Sequence, residues 1–203
     1  MKKEMLNSKM KEEKEMIKIL GIVGPSGCGK DTAAHFLQTS KPDKYNYVKL
    51  NTTRPQRDTD DNGYIFMSNQ DFLNEILNGD MLNAQEFRGW HYGLSKNALD
   101  KEKINLLPMN NEMVMQMTEE NRDDYELVII YINTFQKSRL LHILERELNP
   151  DCKEICRRFL SDINDYENNK ELIKHCSYVV DNRYNSNFYL DMVLTAEKCF
   201  EGH

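Results

Sequence analysis

The sequence predicts an α/β fold in which a parallel β-sheet is flanked by helices. Two observations support this prediction. Short apolar runs alternate with helix-compatible runs along the chain, and a glycine-rich loop joins the first apolar run to the first helix. A length of 203 residues allows one domain with a sizeable core and a small inserted lobe.

The first element is a short buried strand, predicted from the apolar run Ile17 to Val23. A loop follows it and leads into a helix-compatible run from Thr32 to Gln38. The loop consists of Gly24, Pro25, Ser26, Gly27, Cys28, Gly29, Lys30, Asp31 and Thr32. Strand, loop and helix in this order match the phosphate-loop pattern G-x-x-x-x-G-K-[ST] up to its last position, where Asp31 replaces the hydroxyl residue.

The chemistry of this loop suits the phosphate chain of a nucleotide. The glycines let successive backbone N–H groups face inward, and Lys30 supplies a positive charge. The N-terminus of the following helix adds further unpaired donors, and Thr32 offers the nearest hydroxyl. The sheet is therefore predicted to be of the P-loop nucleotide-hydrolase type.

The later elements follow from the same alternation. The first half of the chain predicts a strand from Tyr45 to Asn51, a helix capped near Ser68 and running to Leu77, and strand-like pieces from Met81 to Gly93. The second half predicts strands over Ile104 to Met109, Glu126 to Asn133 and Ser177 to Val180, and helices over Glu112 to Thr118, Thr134 to about Leu148, Cys152 to about Asn164 and Phe188 to Phe200. Residues 52 to 95 predict an inserted lobe, and residues 1 to 15 predict a frayed helix or a disordered tail.

Composition and charge argue against several classes of protein. A net charge of −6 argues against a general nucleic-acid-binding protein. A mean hydropathy of −0.72 and the shortness of the apolar runs argue against a membrane protein. The five cysteines lack the spacing of a zinc site. Their odd number, without an apolar signal segment, predicts reduced thiols in the cytoplasm.

Three short motifs after the loop resemble those of guanylate kinases. They are Thr52-Thr53-Arg54 through Arg57, Tyr64-Ile65-Phe66, and Tyr92-Gly93, and they occur in that family's order. The resemblance covers roughly residues 17 to 200. It implies a core formed by residues 16 to 51 and 96 to 203, an acceptor-binding lobe of about residues 52 to 95, and a helical lid of about residues 142 to 158.

The resemblance also implies how a nucleotide acceptor is held. Its phosphate is expected against Arg54, Arg57, Tyr64 and Tyr92, because guanidinium groups meet phosphate oxygens bidentately and tyrosine hydroxyls complete the shell. Its base is expected against Leu50, Asn83, Leu94 and Asn110. The family holds guanine with hydroxyl and carboxylate groups at these positions, so leucines and amides predict an altered base pocket.

The lid and the metal site are also inferred from the resemblance. The family's lid supplies arginines to the transferred phosphate, and Arg146 and Arg158 match them best, with Arg157 and Arg139 as neighbours. The family's acidic residue near the metal corresponds to Pro108 here. Asp31 and Thr32 are therefore predicted to hold Mg²⁺, with a purely capping role for Asp31 as the alternative.

These observations predict an ATP- and Mg²⁺-dependent kinase that phosphorylates a nucleoside monophosphate, by family resemblance (d)GMP. One alternative is a kinase of the same fold for another phosphorylated acceptor, such as a pyrimidine or modified deoxynucleotide or a ribosyl phosphate. The other alternative is a non-catalytic guanylate-kinase-like binding module. The glycines and Lys30 of the loop favour an enzyme over a binding module.

Overall fold

A computed structural model describes residues 16–56, 63–87, 89–119, 124–146, 150–167 and 170–200. Its centre is a five-stranded sheet whose strands all run parallel. In spatial order the strands are β2 (Tyr45–Tyr47), β7 (Ile104–Met109), β1 (Ile17–Val23), β8 (Tyr125–Asn133) and β9 (Tyr178–Asp181). Ile19, Leu20, Ile22 and Val23 of β1 are completely buried, because a parallel sheet is covered on both faces.

Helices cover both faces of this sheet. On one face, Ala33, Ala34 and Leu37 of α1 (Lys30–Ser40) pack together with Met192 of α7 (Ser186–Lys198) against the strands. On the other face, Met113 and Met117 of α3 (Asn111–Glu119) pack with Leu172 of α6 (Lys170–Lys174). The remaining helices are α4 (Gln136–Arg146) and α5 (Cys152–Asp162), and α5 continues into a π-helical turn at Ile163–Glu167.

A second sheet forms a separate lobe. Its four strands, in spatial order, are β4 (Tyr64–Phe66), β3 (Leu50–Thr52), β6 (Trp90–Ser95) and β5 (Met81–Phe87). Helix α2 (Asn69–Leu77) covers one face through Phe72, which is completely buried and stacks on His91. The opposite face carries Leu50, Tyr64 and Tyr92, because Leu50 is paired with Tyr64 and Thr52 with Tyr92.

The predicted α/β architecture is confirmed, and β1 and β7 have the predicted bounds. The single strand predicted from Tyr45 to Asn51 is wrong, because the chain leaves one sheet and enters the other. Val48 still donates a backbone hydrogen bond to Leu106 of β7 (3.0 Å), whereas Leu50 already pairs with Tyr64 in the lobe. The lobe sheet therefore begins at Leu50, slightly before the predicted start of the inserted lobe.

Several other boundaries differ by a few residues from the predictions. Helix α7 begins at Ser186 rather than Phe188, and α4 begins at Gln136 rather than Thr134. The predicted tail of residues 1 to 15 lies outside the described residues. None of the described helices is long and apolar enough to cross a membrane.

Candidate active site

The phosphate loop lies between the carboxyl end of β1 and the start of α1. Side chains from the loop and from beyond β9 donate to its carbonyl oxygens. Asn182, just after β9, donates through Nδ2 to the carbonyl of Cys28 (2.9 Å), and the Tyr184 hydroxyl donates to that of Gly27. Within the loop, the Lys30 ammonium donates to the carbonyls of Gly24 (2.7 Å) and Pro25 (3.3 Å). These contacts fix the path of the loop.

Two of the loop glycines are required by the backbone. Gly27 and Gly29 have φ angles of 79° and 97°, in the left-handed region that L side chains rarely adopt. A Cβ atom at Gly27 would lie 2.6 Å from the Ile143 side chain, and one at Gly29 would lie 2.9 Å from Asn182 Nδ2. Any side chain at either position would therefore distort the loop. The loop leads directly into the first turn of α1, whose first N–H groups have no partner within the helix.

Tyr184 also has a left-handed backbone, although it is not a glycine. Its φ angle is 54°, a conformation that is costly for a bulky residue. The strain is held by the hydroxyl bond to Gly27 and by a backbone hydrogen bond from Tyr184 to Asn182 Oδ1 (2.7 Å). A strained residue that contacts the phosphate loop is consistent with a functional site.

Lys30 lies in an environment that keeps it charged. Burial alone lowers the pKa of Lys30, but its interactions with Cys28, Tyr166 and the carboxylates of Asp31 and Asp162 raise the pKa above its ordinary value. At neutral pH the side chain therefore carries a full positive charge beside the loop. Perturbed groups of this kind concentrate at functional sites.

The predicted acceptor-phosphate residues are largely brought together. Arg54 is only 7% exposed, and its guanidinium lies 5.3 Å from the ring centre of Tyr64 and 5.5 Å from that of Phe66. The rings of Tyr64 and Tyr92 meet edge-on with centres 5.8 Å apart. Arg54, Tyr64 and Tyr92 thus form one cluster, which we call the acceptor-phosphate cluster. Arg57 lies outside the described residues.

This cluster lies near the start of α1. The Tyr47 hydroxyl donates to Asp31 Oδ1 (3.4 Å), so Asp31 points from the first turn of α1 toward β2. Burial raises the pKa of Tyr64, and the charges of Asp31 and Tyr92 raise it further, while Arg54 and Lys30 oppose them. A Cβ atom at Gly63, the neighbour of Tyr64, would lie 3.5 Å from the same Tyr47 hydroxyl, so the start of β4 lies beside the first turn of α1.

The four residues predicted to contact a base occupy different environments. Leu94 is completely buried in the core and Leu50 is partly buried beside it. Asn83 is 7% exposed and donates through Nδ2 to Gln116 of α3, while its Oδ1 has no hydrogen-bond partner among the described residues. Asn110 caps α3, because its Oδ1 accepts from the backbone N–H of Met113 (2.8 Å).

The surroundings of Asn83 contain further polar groups. Gln85, opposite Tyr92 in the lobe sheet, is also buried, and no partner is described for its Oε1. A cavity of about 200 Å³ lies beside Asn83, and its other lining residues are Ile76, Met81, Leu82, Ala84 and Gln116. Unsatisfied buried amide oxygens are costly and are expected where a ligand supplies the donor.

The predicted lid arginines are placed differently from Arg139. Arg158 donates through Nε to Glu154 (3.0 Å) on the surface of α5, and Arg157 pairs with the same carboxylate. Arg146 is the last residue of α4, and its side chain is not described. Arg139 reaches the phosphate loop instead, with Nη1 3.4 Å from the Ser26 carbonyl. The catalytic roles of Arg146 and Arg158 stay predictions.

The predicted metal residues are exposed on the first turn of α1. Asp31 and Thr32 offer a carboxylate and a hydroxyl oxygen, which are ligand types that Mg²⁺ prefers. Among the described residues, no group of three or more His, Cys, Asp or Glu side chains could hold a metal. Pro108 lies within β7 and is paired with Ile22. The donor set therefore fits an ion that keeps most of its ligands as water or phosphate oxygens.

Sequence reasoning missed the side chains that hold the loop from outside, and it placed Arg139 only among the neighbours of the lid arginines. Arg139, Asp162, Asn182 and Tyr184 follow the loop by more than a hundred positions. No local pattern marks them. Asn182 had one indirect signal, its position two residues after a predicted strand, because loops at the carboxyl ends of parallel strands commonly form ligand sites.

A parallel sheet with a glycine loop between its central strand and the next helix defines a phosphate-loop nucleotide-binding protein. A family model of guanylate kinase matches residues 16–190. The chain therefore belongs to the guanylate kinase family.

Individual relatives agree with this assignment. The chain is 37% identical over 90 residues to a guanylate kinase of Mesoplasma florum, which covers 43% of this chain and 30% of that protein. It is 38% identical over 98 residues to a guanylate kinase of Helicobacter hepaticus, covering 45% and 48% of the two chains. These matches span less than half the length of either relative.

A solved structure supports the fold over a longer stretch. The guanylate kinase of Anaplasma phagocytophilum superposes with a TM-score of 0.58 at 18% identity and covers 92% of this chain and 87% of that chain. At this level of identity the match supports the fold alone.

Proposed function

We propose that this protein transfers the γ-phosphoryl group of ATP to a nucleoside monophosphate. The observation that carries the proposal is the position of the acceptor-phosphate cluster beside the first turn of α1, where the Tyr47 hydroxyl contacts Asp31 and adjoins Gly63 next to Tyr64. A protein that only bound one nucleotide at its phosphate loop would not require the buried Arg54 with Tyr64 and Tyr92 beside it. Family membership supports the same reaction class.

The mechanism follows from positioning and charge. The acceptor phosphate is already largely ionised at neutral pH, so no general base is required. The loop N–H groups and Lys30 bind the donor phosphates, and Arg54 with Tyr64 and Tyr92 holds the acceptor in line with them. Lys30, Arg54 and the predicted lid arginines Arg146 and Arg158 stabilise the charge that develops during transfer. Mg²⁺, held in part by Asp31 and Thr32, would neutralise phosphate charge when bound.

The base of the acceptor is a separate question. We propose that it is read by Asn83 and is not guanine. Guanine offers donors at N1 and N2, for which carboxylates are suitable acceptors, whereas an amide group carries donors as well as acceptors. Leu50 provides no hydrogen-bond partner either, and Leu94 is enclosed in the core. The partly buried Leu50 suits a base with an apolar substituent, such as the methyl group of a pyrimidine, and it favours another acceptor within the same reaction class.

A panel of ribo- and deoxynucleoside monophosphates, assayed with ATP by ADP release, tests both proposals. We expect turnover with at least one monophosphate and a higher kcat/KM for a base other than guanine. Asn83→Asp should shift the ranking toward guanine, because each restored hydrogen bond to a buried donor contributes about 1–3 kcal/mol. Asn74→Asp, on the exposed surface of α2, is the matched control and should leave the ranking unchanged.

The outcomes separate the two proposals. No turnover with any monophosphate would contradict the kinase function. A highest kcat/KM for GMP in the wild-type protein would leave the kinase function intact and refute the proposed base selection.

The role of Asp31 in metal binding has its own test. Asp31→Ser restores the common loop pattern and removes a carboxylate from the first turn of α1. We expect the Mg²⁺ concentration for half-maximal activity to rise several-fold, and adding Pro108→Asp to lower it again. A midpoint that does not change in Asp31→Ser would leave Asp31 as a helix-end charge only.

A further inference from the structure

A buried ion pair holds the backbone of Ser26 in the phosphate loop. Asp162, the last residue of α5, accepts through Oδ2 from the Ser26 N–H (2.9 Å). Arg139 of α4 donates through Nη1 to the same carboxylate oxygen (3.1 Å) and to the Ser26 carbonyl (3.4 Å). The backbone N–H and the carbonyl of Ser26 are therefore bound by Asp162 and Arg139, respectively, which also bind each other.

Both members of this ion pair are buried. Arg139 is completely buried, and its guanidinium carbon lies 4.6 Å from the centre of the Phe159 ring. Asp162 is 8% exposed. Fully buried arginines are rare, and a buried ion pair is often no more stable than apolar side chains of similar size. The free energy of unfolding therefore gives little reason for a charged pair at this position. The hydrogen bonds of the pair to Ser26 give a better one.

The helix end that carries Asp162 continues into a π-helical turn that contains Tyr166. Tyr166 is buried among the residues that cover the α3 face of the sheet. Burial raises the pKa of Tyr166, so it remains a neutral hydroxyl. π-helical turns inside α-helices occur frequently at functional sites. This helix end therefore contacts the phosphate loop at Ser26 through Asp162.

We propose that Arg139 and Asp162 are positioning residues, which hold the phosphate loop in its ATP-binding conformation and couple it to helices α4 and α5. This inference rests on the proposed function only in taking ATP as the ligand of the loop. The end of α4 and the start of α5 belong to the predicted lid of residues 142 to 158. A rotation of either helix would displace Ser26 through the pair.

The experiment replaces the pair without leaving a buried charge alone. In Arg139→Met/Asp162→Leu both charges are absent and the volume is kept, so the fold should survive. In Arg139→Met/Asp162→Asn the charges are also absent, but the amide oxygen can still accept from the Ser26 N–H. Lys174→Met is the control, because it removes an exposed ion pair with Glu171 on α6. Each variant is assayed for thermal unfolding, equilibrium ATP binding and kcat and KM for both substrates.

The expected pattern is specific to a positioning role. Arg139→Met/Asp162→Leu should unfold cooperatively and keep the KM for the acceptor, while its Kd for ATP rises about ten- to a hundredfold, as misplaced groups typically cause. Arg139→Met/Asp162→Asn should recover part of that affinity. Lys174→Met should match the wild type in every assay.

Two results would overturn the inference. One is an ATP affinity in Arg139→Met/Asp162→Leu equal to that of the wild type. The other is an equal loss of affinity for ATP and for the acceptor, which would indicate a general structural role. A wild-type protein that binds ATP but phosphorylates no acceptor would refute the proposed function alone, and one that binds no ATP would refute both.

Discussion

Replacing Lys30 with alanine should abolish phosphoryl transfer, with a loss in kcat of at least about a hundredfold. The ammonium lies at the loop, bonded to the carbonyls of Gly24 and Pro25, and the raised pKa keeps it charged. Charge that develops on the transferred group would then lose its nearest side-chain cation on the loop. The measurement is steady-state ADP release with the preferred acceptor, alongside a thermal unfolding curve.

A matched control lies at the other end of the same helix. Lys41→Ala removes an exposed lysine that pairs with Glu197, and it should leave kcat unchanged. If Lys30→Ala folds and retains more than about a tenth of wild-type turnover, the loop is not the donor site.

Arg54→Ala should weaken the use of every acceptor by a similar factor. The arginine is buried beside Tyr64 and Phe66, and the phosphate it is proposed to bind is common to all acceptors. Hydrogen bonds to charged groups contribute about 1.5–3 kcal/mol. Their loss corresponds to a decrease of about ten- to a hundredfold in kcat/KM. The comparison is kcat/KM across the same nucleotide panel, with the ranking of bases unchanged.

Arg54→Lys refines this prediction. A lysine keeps the charge but loses the planar fork that meets two phosphate oxygens, so it should recover only part of the activity. The separation of phosphate and base recognition would be contradicted if Arg54→Ala reordered the bases while Asn83→Ala lowered all of them equally.

Local sequence patterns correctly predicted the first strand and the phosphate loop that follows it. The strand Ile17–Val23, the glycines and Lys30 are adjacent in sequence, and their conformation depends mainly on local backbone preferences. The division of residues 45 to 52 between two sheets could not be predicted. Val48 and Leu50 are both apolar, and only tertiary pairing shows that they belong to different sheets.

The acceptor half was predicted from a resemblance and not from local physics. Arg54, Tyr64 and Tyr92 are close in the structure because Tyr64 is on β4, Tyr92 is on β6 and Arg54 follows β3, which pairs with both. The base end was harder, because Asn83 donates to Gln116, 33 positions further along the chain, and no local pattern marks this contact. The same holds at the phosphate loop for Arg139 and Asp162, which lie on different helices.

The rate at which a reagent modifies the Cys28 thiol would report on the opening of the phosphate loop. The thiol is completely buried, and burial raises its pKa above the ordinary value, so almost no thiolate exists in the closed loop. Cys152 and Cys156 are exposed on α5 and would react at once with an alkylating reagent. Slow modification of Cys28 would therefore measure how often the loop unfolds locally. A nucleotide that closes the loop would protect this one sulfur from the reagent.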